Sequence, residues 1–195
     1  MLVIKHRINS LHSLQNVSTN FGVEVDLHYY DSDLYIGHDP WNLETTFDTF
    51  LAGYQHKFMA INVKEEGIEK MILQSLKKYH IEDFFLFDLS FPSLMKLLKS
   101  GERRLALRIS DFEQIKDIGF FQNKVEWIWL DVFQDNGYLD DSFFSSLDSF
   151  KKCIVSPELH IDRDESHSLR IRESLLPIVG HFQAVCTKDE YLWLN

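Results

Sequence analysis

Residues 22–28 read Gly22-Val23-Glu24-Val25-Asp26-Leu27-His28, an alternation of apolar and polar side chains. Successive side chains of a β-strand point to opposite faces, so Glu24, Asp26 and His28 are predicted to share one face. Two carboxylates on one inward face repel each other unless a positive group lies between them. A hard divalent cation such as Mg²⁺ or Ca²⁺ prefers oxygen ligands. The stretch therefore predicts a strand that carries a metal site, and a solvent-facing polar strand is the alternative interpretation.

Seven other short apolar runs recur along the chain, separated by amphipathic segments. Each run is too short for most buried helices and is rich in branched aliphatic and aromatic residues, which is typical of buried strands. Together with the first stretch, the predicted strands are Leu2–His6, Gly22–His28, Phe58–Lys64, Phe84–Asp88, Arg104–Ile109, Glu126–Val132, Lys152–Ser156 and Gln183–Thr187.

The segments between the predicted strands carry helical patterns. Ile68–Tyr79 repeats apolar residues at helical spacing. Phe91–Lys99 has a proline near its start and a glycine just beyond its end, and Arg163–Leu176 ends before a proline. Thr46–Gly53 is predicted to be an abbreviated element of the same kind. Strands and helices therefore alternate almost from end to end.

This alternation predicts an α/β fold built from parallel βαβ units. Eight strands favour a compact (β/α)₈ TIM barrel with some helices shortened, and an open doubly wound sheet is the alternative. Most predicted strands end at an ionisable or amide side chain, and a barrel brings such ends together around one site. No linker or repeat divides the chain, so residues 1–195 are predicted to form one domain. The strand-end residues are His6, Arg7, Glu24, Asp26, Asn62, Lys64, Asp88, Arg108, Asp131, Glu158 and Lys188.

The composition narrows the classes of partner. A formal net charge of −10 disfavours binding to nucleic acid or to an acidic membrane, because either polyanion would be repelled. No apolar run reaches the length of a transmembrane segment, and the N-terminus lacks a signal-peptide pattern. Cys153 and Cys186 stand singly in apolar runs and are predicted to be buried thiols. A reduced, cytoplasmic location is therefore expected.

Four short motifs follow one another in the first third of the chain. They are His6-Arg7, Glu24-Val25-Asp26, His38-Asp39 and Asn62-Val63-Lys64. In this order the sequence resembles the glycerophosphodiester phosphodiesterase superfamily, which is related to phosphatidylinositol-specific phospholipase C. The resemblance implies that residues 1–195 form a phospholipase C-like phosphodiesterase domain with the TIM-barrel fold. It also implies the activity of a phosphoric diester hydrolase.

The resemblance also implies roles for individual residues. Two histidines would act as the acid and base around phosphorus, because an imidazole exchanges protons near neutral pH. A divalent metal, Mg²⁺ or Ca²⁺, would neutralise charge on the phosphoryl oxygens. By this match the catalytic residues are His6 and His38, the phosphate-binding residues are Arg7 and Lys64, and the metal ligands are Glu24, Asp26 and Asn62.

The chain departs from the family pattern at one metal position. Asn62 stands where the family usually has a carboxylate, and an amide oxygen brings no negative charge to a cation. Either Asn62 ligates the metal, or Asp88, Asp131 or Glu158 completes the site in its place. The Glu-Asn pair that follows the His-Arg motif in the family is also not evident in this chain.

The function expected from these observations is metal-dependent hydrolysis of a glycerophosphodiester-like or glycan-linked phosphodiester, a small-molecule or glycan substrate. One alternative is a cyclising phosphotransferase, in which a substrate hydroxyl attacks instead of water. Another is a catalytically silent barrel that binds a phosphorylated ligand. Among the remaining residues, Trp127 and Trp129 are expected to face the helices, and His160 is interpreted as a surface or capping residue. His28 is assigned either to the site or to its support.

Overall fold

The computed structural model describes residues 1–134, 136–160 and 165–193, without the side chain of Glu165. The strands in this part of the chain are β1 (Leu2–Lys5), β2 (Gly22–Tyr30), β3 (Asp33–Ile36), β4 (Thr45–Thr46), β5 (Phe58–Val63), β6 (Phe84–Phe87), β7 (Ala106–Ile109), β8 (Trp127–Leu130), β9 (Lys151–Val155) and β10 (Ala184–Thr187). All eight predicted strands are confirmed, with ends shifted by up to two residues.

The α-helices are α1 (Leu11–Gln15), α2 (Phe47–Ala52), α3 (Glu69–Lys78), α4 (Phe91–Lys99), α5 (Asp141–Ser146) and α6 (Glu165–Leu175). Short 3₁₀ segments span Ile118–Phe121, Pro157–Leu159, Leu176–His181 and Glu190–Leu192. The four predicted helical segments are confirmed, although the start of Arg163–Leu176 lies outside the described residues. Among the described residues, no helix has the length and apolar character needed to cross a membrane.

The strands form an α/β fold around a mostly parallel central sheet. β1 pairs in parallel with β2 and β10, β2 pairs with β5, and β5 pairs with β6. On the other side of β1, parallel pairing continues from β10 through β9 and β8 to β7. β6 and β7 meet at an isolated parallel bridge between Leu86 and Leu105, where the Leu86 N–H donates to the Arg104 carbonyl at 3.0 Å.

Strands β3 and β4 are an antiparallel addition that the sequence pattern did not predict. β2 turns back into β3 through Asp31 and Ser32, both with positive φ (46° and 70°). Positive φ at both central residues is the requirement of a tight hairpin turn, which usually has Asn-Gly or Asp-Gly there. Asp-Ser is a weak form of that signal, and the apolar run Leu34–Ile36 is short. The sequence pattern therefore does not predict the hairpin.

Two apolar clusters lie on opposite faces of the sheet. The larger cluster includes Ile128 and Leu130 together with residues of the helices, such as Ile72 and Leu97. The smaller cluster contains side chains from the strands alone at its buried centre: Ile4, Phe58, Ala60, Phe85, Phe87, Ala106, Trp127, Trp129, Cys153, Val155, Ala184 and Cys186. The prediction that Trp127 and Trp129 face the helices is wrong, because the helices pack on the aliphatic face of β8. Both cysteines are buried thiols, as predicted.

Candidate active site

A polar cavity of about 250 Å³ lies at the carboxyl ends of the parallel strands. Six of the seven predicted site residues line it. The lining consists of His6, Arg7, Glu24, Asp26, Asn62, Lys64, Phe87, Asp88, Arg108, Trp129, Asp131, Val155, Leu159 and His160. Side chains from strands far apart in the chain therefore converge, as expected where parallel strands end at one edge.

The first motif folds around the carboxylate of Glu24. Arg7 follows β1 with a left-handed backbone (φ 54°), and its N–H donates to Glu24 Oε2 at 2.7 Å. His6 Nε2 lies 3.8 Å from the same oxygen, and His6 Nδ1 is buried without a hydrogen-bond partner in the described chain. A left-handed residue other than glycine is uncommon and costs about 1–2 kcal/mol. The turn is held by the bond to Glu24.

Both oxygens of Asp26 have partners. Lys64 Nζ lies 2.8 Å from Oδ1, and Asn9 Nδ2 donates to Oδ2 at 2.7 Å. Asn9 also accepts a hydrogen bond from the Asp26 N–H at 2.9 Å. The sequence reasoning missed Asn9, and the signal that could have found it is an amide just after the His-Arg motif. The pairing of Asp26 with Asn62 in the β2–β5 register brings Lys64 to the same edge.

Burial shifts the pKa values of His6 and Glu24 in the cavity. Burial, followed by the positive charge of Arg7, lowers the pKa of His6 to about 3. Burial and the neighbouring Asp26 carboxylate raise the pKa of Glu24 to about 8, against the Arg7 hydrogen bond, which lowers it. At neutral pH His6 is therefore an uncharged imidazole, and Glu24 is protonated in a substantial fraction of molecules.

Asn62 lines the same cavity with a side-chain oxygen that lacks a hydrogen-bond partner among the described residues. Its side chain hydrogen-bonds Asp88, whereas its Oδ1 is buried without a partner among the described residues. An unpaired buried carbonyl is costly unless a ligand or a water molecule completes it. Within the described chain no three His, Cys, Asp or Glu side chains are grouped to hold a metal ion. The oxygen donors on β2 and β5 are the carboxylates of Glu24 and Asp26 and the amide of Asn62.

His38 is the predicted site residue that does not line the cavity. Its side chain is 41% exposed, and its Nδ1 lies 2.9 Å from Asp39 Oδ1. His38 is close enough to His6 to lower the pKa of that imidazole further. His28 supports this position, because its Nε2 lies 3.3 Å from the His38 carbonyl and its Nδ1 lies 2.8 Å from Glu65 Oε1. His28 is therefore a supporting residue of the site.

A second charged cluster forms the opposite wall of the cavity. Arg108 from β7 lies between Asp88 (3.2 Å) and Asp131 (3.1 Å), and His160 Nε2 lies 3.7 Å from Asp131. Burial raises the pKa of Asp88. Trp129 joins this wall, and its indole N–H has no partner within the described residues. His160 is the C-cap residue of the 3₁₀ segment after β9, as one of its two interpretations had it, but its side chain lines the cavity instead of the surface.

Of the three carboxylates proposed to replace Asn62, the structure places Glu158 outside the cavity lining. Glu158 Oε1 accepts hydrogen bonds from the Thr187 hydroxyl at 2.6 Å and the Lys188 N–H at 3.3 Å. Its other oxygen accepts one from Ser156. Glu158 therefore connects β9 to β10, and the structure does not bring it into the lining with Glu24 and Asp26. Asp88 and Asp131 do line the cavity.

No protein-family model and no curated protein matches the sequence. Solved structures do match it. The chain is similar to a glycerophosphodiester phosphodiesterase from Agrobacterium tumefaciens, with a TM-score of 0.68 and 12% identity over 99% of this chain and 97% of that chain. It is also similar to a glycerophosphodiester phosphodiesterase from Parabacteroides distasonis, with a TM-score of 0.64 and 12% identity over 96% and 92%. The chain therefore has the fold of the glycerophosphodiester phosphodiesterases, as its motifs predicted.

Proposed function

We propose that the protein is a metal-dependent phosphodiesterase that hydrolyses a small glycerophosphodiester-like substrate. The observation that carries this proposal is the convergence of His6, Glu24, Asp26 and Lys64 in one polar cavity at the strand ends. An imidazole can accept a proton from water, and neighbouring carboxylates can hold a divalent cation that stabilises charge on the phosphoryl oxygens. The shared fold of the solved phosphodiesterases is consistent with this assignment but does not by itself assign the chemistry.

The cavity's position is best explained by a closed (β/α)₈ barrel. Aromatic rings from strands at the two ends of the paired sheet meet in the smaller apolar cluster. Phe58 and Trp127 have ring centroids 5.2 Å apart, and Phe87 stacks on Trp129 at 4.2 Å. Together with the bridge between Leu86 and Leu105, these contacts support closure between β6 and β7. Closure places the strand ends in a ring around the cavity.

The two histidines are assigned to proton transfer. His6 accepts the proton of the attacking water, since its imidazole lines the cavity 3.8 Å from Glu24 Oε2 and its Nδ1 has no partner among the described residues. His38 donates a proton to the leaving oxygen, and Asp39 orients its ring. The exposure of His38 suits contact with a leaving group that extends towards solvent. In this scheme Arg7 and Lys64 bind the phosphate oxygens, with the Trp129 indole N–H as a further donor.

The oxygen donors fit a hard divalent cation, Mg²⁺ or Ca²⁺. Glu24, Asp26 and Asn62 would hold it, and the buried Asn62 Oδ1 that lacks a partner is the observation that supports this set. The bound cation would neutralise charge on the phosphoryl oxygens. Asn62 brings no charge and Lys64 already neutralises Asp26, so this set would offer a cation less negative charge than three carboxylates would.

The location proposed for the protein is the cytoplasm. The two cysteines are buried in the smaller apolar cluster and remain free thiols, which is consistent with a reducing compartment.

The test is turnover of a panel of phosphodiesters by the purified chain, with Mg²⁺, Ca²⁺ or EDTA. We expect release of a phosphomonoester that depends on the metal and on His6. Phosphorus NMR distinguishes hydrolysis from cyclisation, because a cyclic phosphate accumulates only when a substrate hydroxyl attacks. A folded protein that cleaves none of the diesters with either metal would disprove the proposed function and favour a barrel that only binds phosphorylated ligands.

A further inference from the structure

A second cavity adjoins the polar one on the side of β6 and β7. It has a volume of about 480 Å³, within the range of about 300–1,000 Å³ that small-molecule sites occupy. We call it the β6–β7 cleft. Its walls are the end of β6, the start of α4, strand β7 and the loop after β7: Asp88, Leu89, Phe91, Leu94, Ala106, Leu107, Arg108, Glu113 and Ile115.

The β6–β7 cleft differs from the polar cavity in character. Six of its nine lining residues are apolar, Leu89, Leu94 and Ile115 among them. Phe91 lines the same cleft and leaves 65% of its surface exposed. A large exposed aromatic at the edge of an apolar recess marks a surface that gains free energy when a ligand covers it. Its polar groups are confined to Asp88, Arg108 and Glu113.

The two cavities share Asp88 and Arg108. Within the described residues, backbone pairing between β6 and β7 is confined to one bridge, between Leu86 in β6 and Leu105 just before β7. The cleft lies where the two shared residues, Asp88 and Arg108, follow β6 and stand on β7. A molecule whose phosphate lies in the polar cavity can therefore extend past Arg108 into apolar surroundings.

We propose that the β6–β7 cleft binds an acyl chain carried by the glycerol moiety of the phosphodiester substrate. This inference rests on the proposed function, because it places the phosphate in the polar cavity. Because the two cavities adjoin at Asp88 and Arg108, which line both, part of the substrate is favoured over a separate partner as the occupant. The polar cavity itself is lined mainly by charged side chains, and burying an alkyl chain there would leave those charges poorly solvated.

The test compares two diesters that differ only in the acyl chain, glycerophosphocholine and 1-hexanoyl-glycerophosphocholine, below the concentration of micelle formation. Binding to the full chain is measured by calorimetry with Mg²⁺ or Ca²⁺, and turnover is measured in parallel. We expect the acylated diester to bind at least about tenfold more tightly, because each buried methylene contributes about 0.8 kcal/mol to transfer.

Two matched variants locate the effect. Phe91→Gln removes the exposed ring from the cleft, and Phe120→Gln removes an exposed ring from the 3₁₀ segment before β8. Phe91→Gln should bring the affinity ratio of the two diesters close to one, whereas Phe120→Gln should retain the ratio of the unmodified chain. Ile115→Gln, on the opposite wall of the cleft, should reduce the ratio in the same direction as Phe91→Gln.

Equal affinity for the two diesters would overturn the proposal, as would a preference that survives in both cleft variants or an acylated diester that does not bind. The affinity ratio tests whether the cleft binds the acyl chain, and turnover tests the proposed phosphodiesterase function. Preferential binding of the acylated diester without cleavage of either compound would support the cleft and disprove the phosphodiesterase activity.

Discussion

The protonation state of His6 follows from its burial next to the charge of Arg7. An exposed histidine titrates near pH 6.5, but burial lowers the pKa of His6 to about 3. A neutral imidazole at physiological pH can accept a proton, which is the role we propose for it. The same burial makes protonation of His6 unfavourable for the folded state.

Replacing His6 tests its role as the base. We expect His6→Ala to lower kcat/KM by about 10²–10⁴, because that is the usual contribution of general acid–base catalysis. His12→Ala is the control, since His12 lies on the short helix α1 outside the cavity lining. Kinetics on the most rapidly cleaved diester and circular dichroism of both variants are the measurements. Unchanged kcat/KM in a folded His6→Ala protein would contradict the assignment.

The raised pKa of Glu24 makes the stability of the folded state depend on pH. Its pKa in the folded state is raised to about 8 from 4.5. A raised folded pKa contributes stability that is fully present below pH 4.5 and is lost as pH rises through about 8. In EDTA, Glu24→Gln should therefore lack this loss of stability.

The measurement is denaturant unfolding of the wild-type and Glu24→Gln proteins at several pH values between 5 and 8. The difference in unfolding free energy should move in favour of Glu24→Gln as the pH rises. Glu44→Gln, at an exposed position, should show the pH dependence of the wild-type protein. A pH-independent difference would mean that Glu24 is ionised throughout this range in the folded state.

The β2–β3 hairpin acts as one element that positions His38. The turn at Asp31 and Ser32 folds β3 back along β2, and the Gly37 N–H donates to the Asp26 carbonyl at 3.1 Å. His28 then contacts the His38 carbonyl and the carboxylate of Glu65, whose other oxygen accepts the Tyr29 N–H. The hairpin thus connects the exposed histidine to the buried carboxylate strand.

Loss of His28 should loosen this connection without removing a group that touches substrate. We expect His28→Leu to lower kcat by about tenfold, a modest effect typical of misplacement, while KM changes little. His56→Leu, which removes a histidine bonded to the Val17 carbonyl, is the control. A change in KM alone, or equal effects of the two substitutions, would argue against a positioning role for His28.

At the scale of the whole molecule, the aromatic rings of the smaller apolar cluster join strands that are far apart in the order of backbone pairing. Phe85 is fully buried and lies 5.5 Å from Phe58 and 5.2 Å from Trp127, measured between ring centroids. Residues on β5, β6 and β8 therefore depend on one another for packing. The proposed barrel closure rests on these contacts as much as on backbone pairing.

Removing the central ring should destabilise the whole domain. Phe85→Ala is expected to lower the free energy of unfolding by about 3–5 kcal/mol, through lost burial and the cavity that remains. Phe120→Ala, at a half-exposed position, should change it far less. Chemical denaturation followed by tryptophan fluorescence measures both. Similar effects of the two substitutions would contradict the central place of Phe85.

Local pattern was sufficient to predict the eight parallel strands, the main helices and the carboxylates of β2. Each depends on alternation or helical spacing within a few residues, which a strand or helix converts directly into a shared face. The ordered motifs also predicted one site of seven residues. His38 does not line the cavity, and the other six do: His6, Arg7, Glu24, Asp26, Asn62 and Lys64.

The remaining features depend on contacts between residues far apart in the chain. Periodicity assigns Trp127 and Trp129 to one face of β8, but the side on which the helices pack depends on the arrangement of every other strand. The placement of Arg108 between Asp88 and Asp131 depends on three strands meeting at one edge. Long-range packing therefore decided the second wall of the cavity and the adjoining cleft, because neither is encoded in the spacing of neighbouring residues.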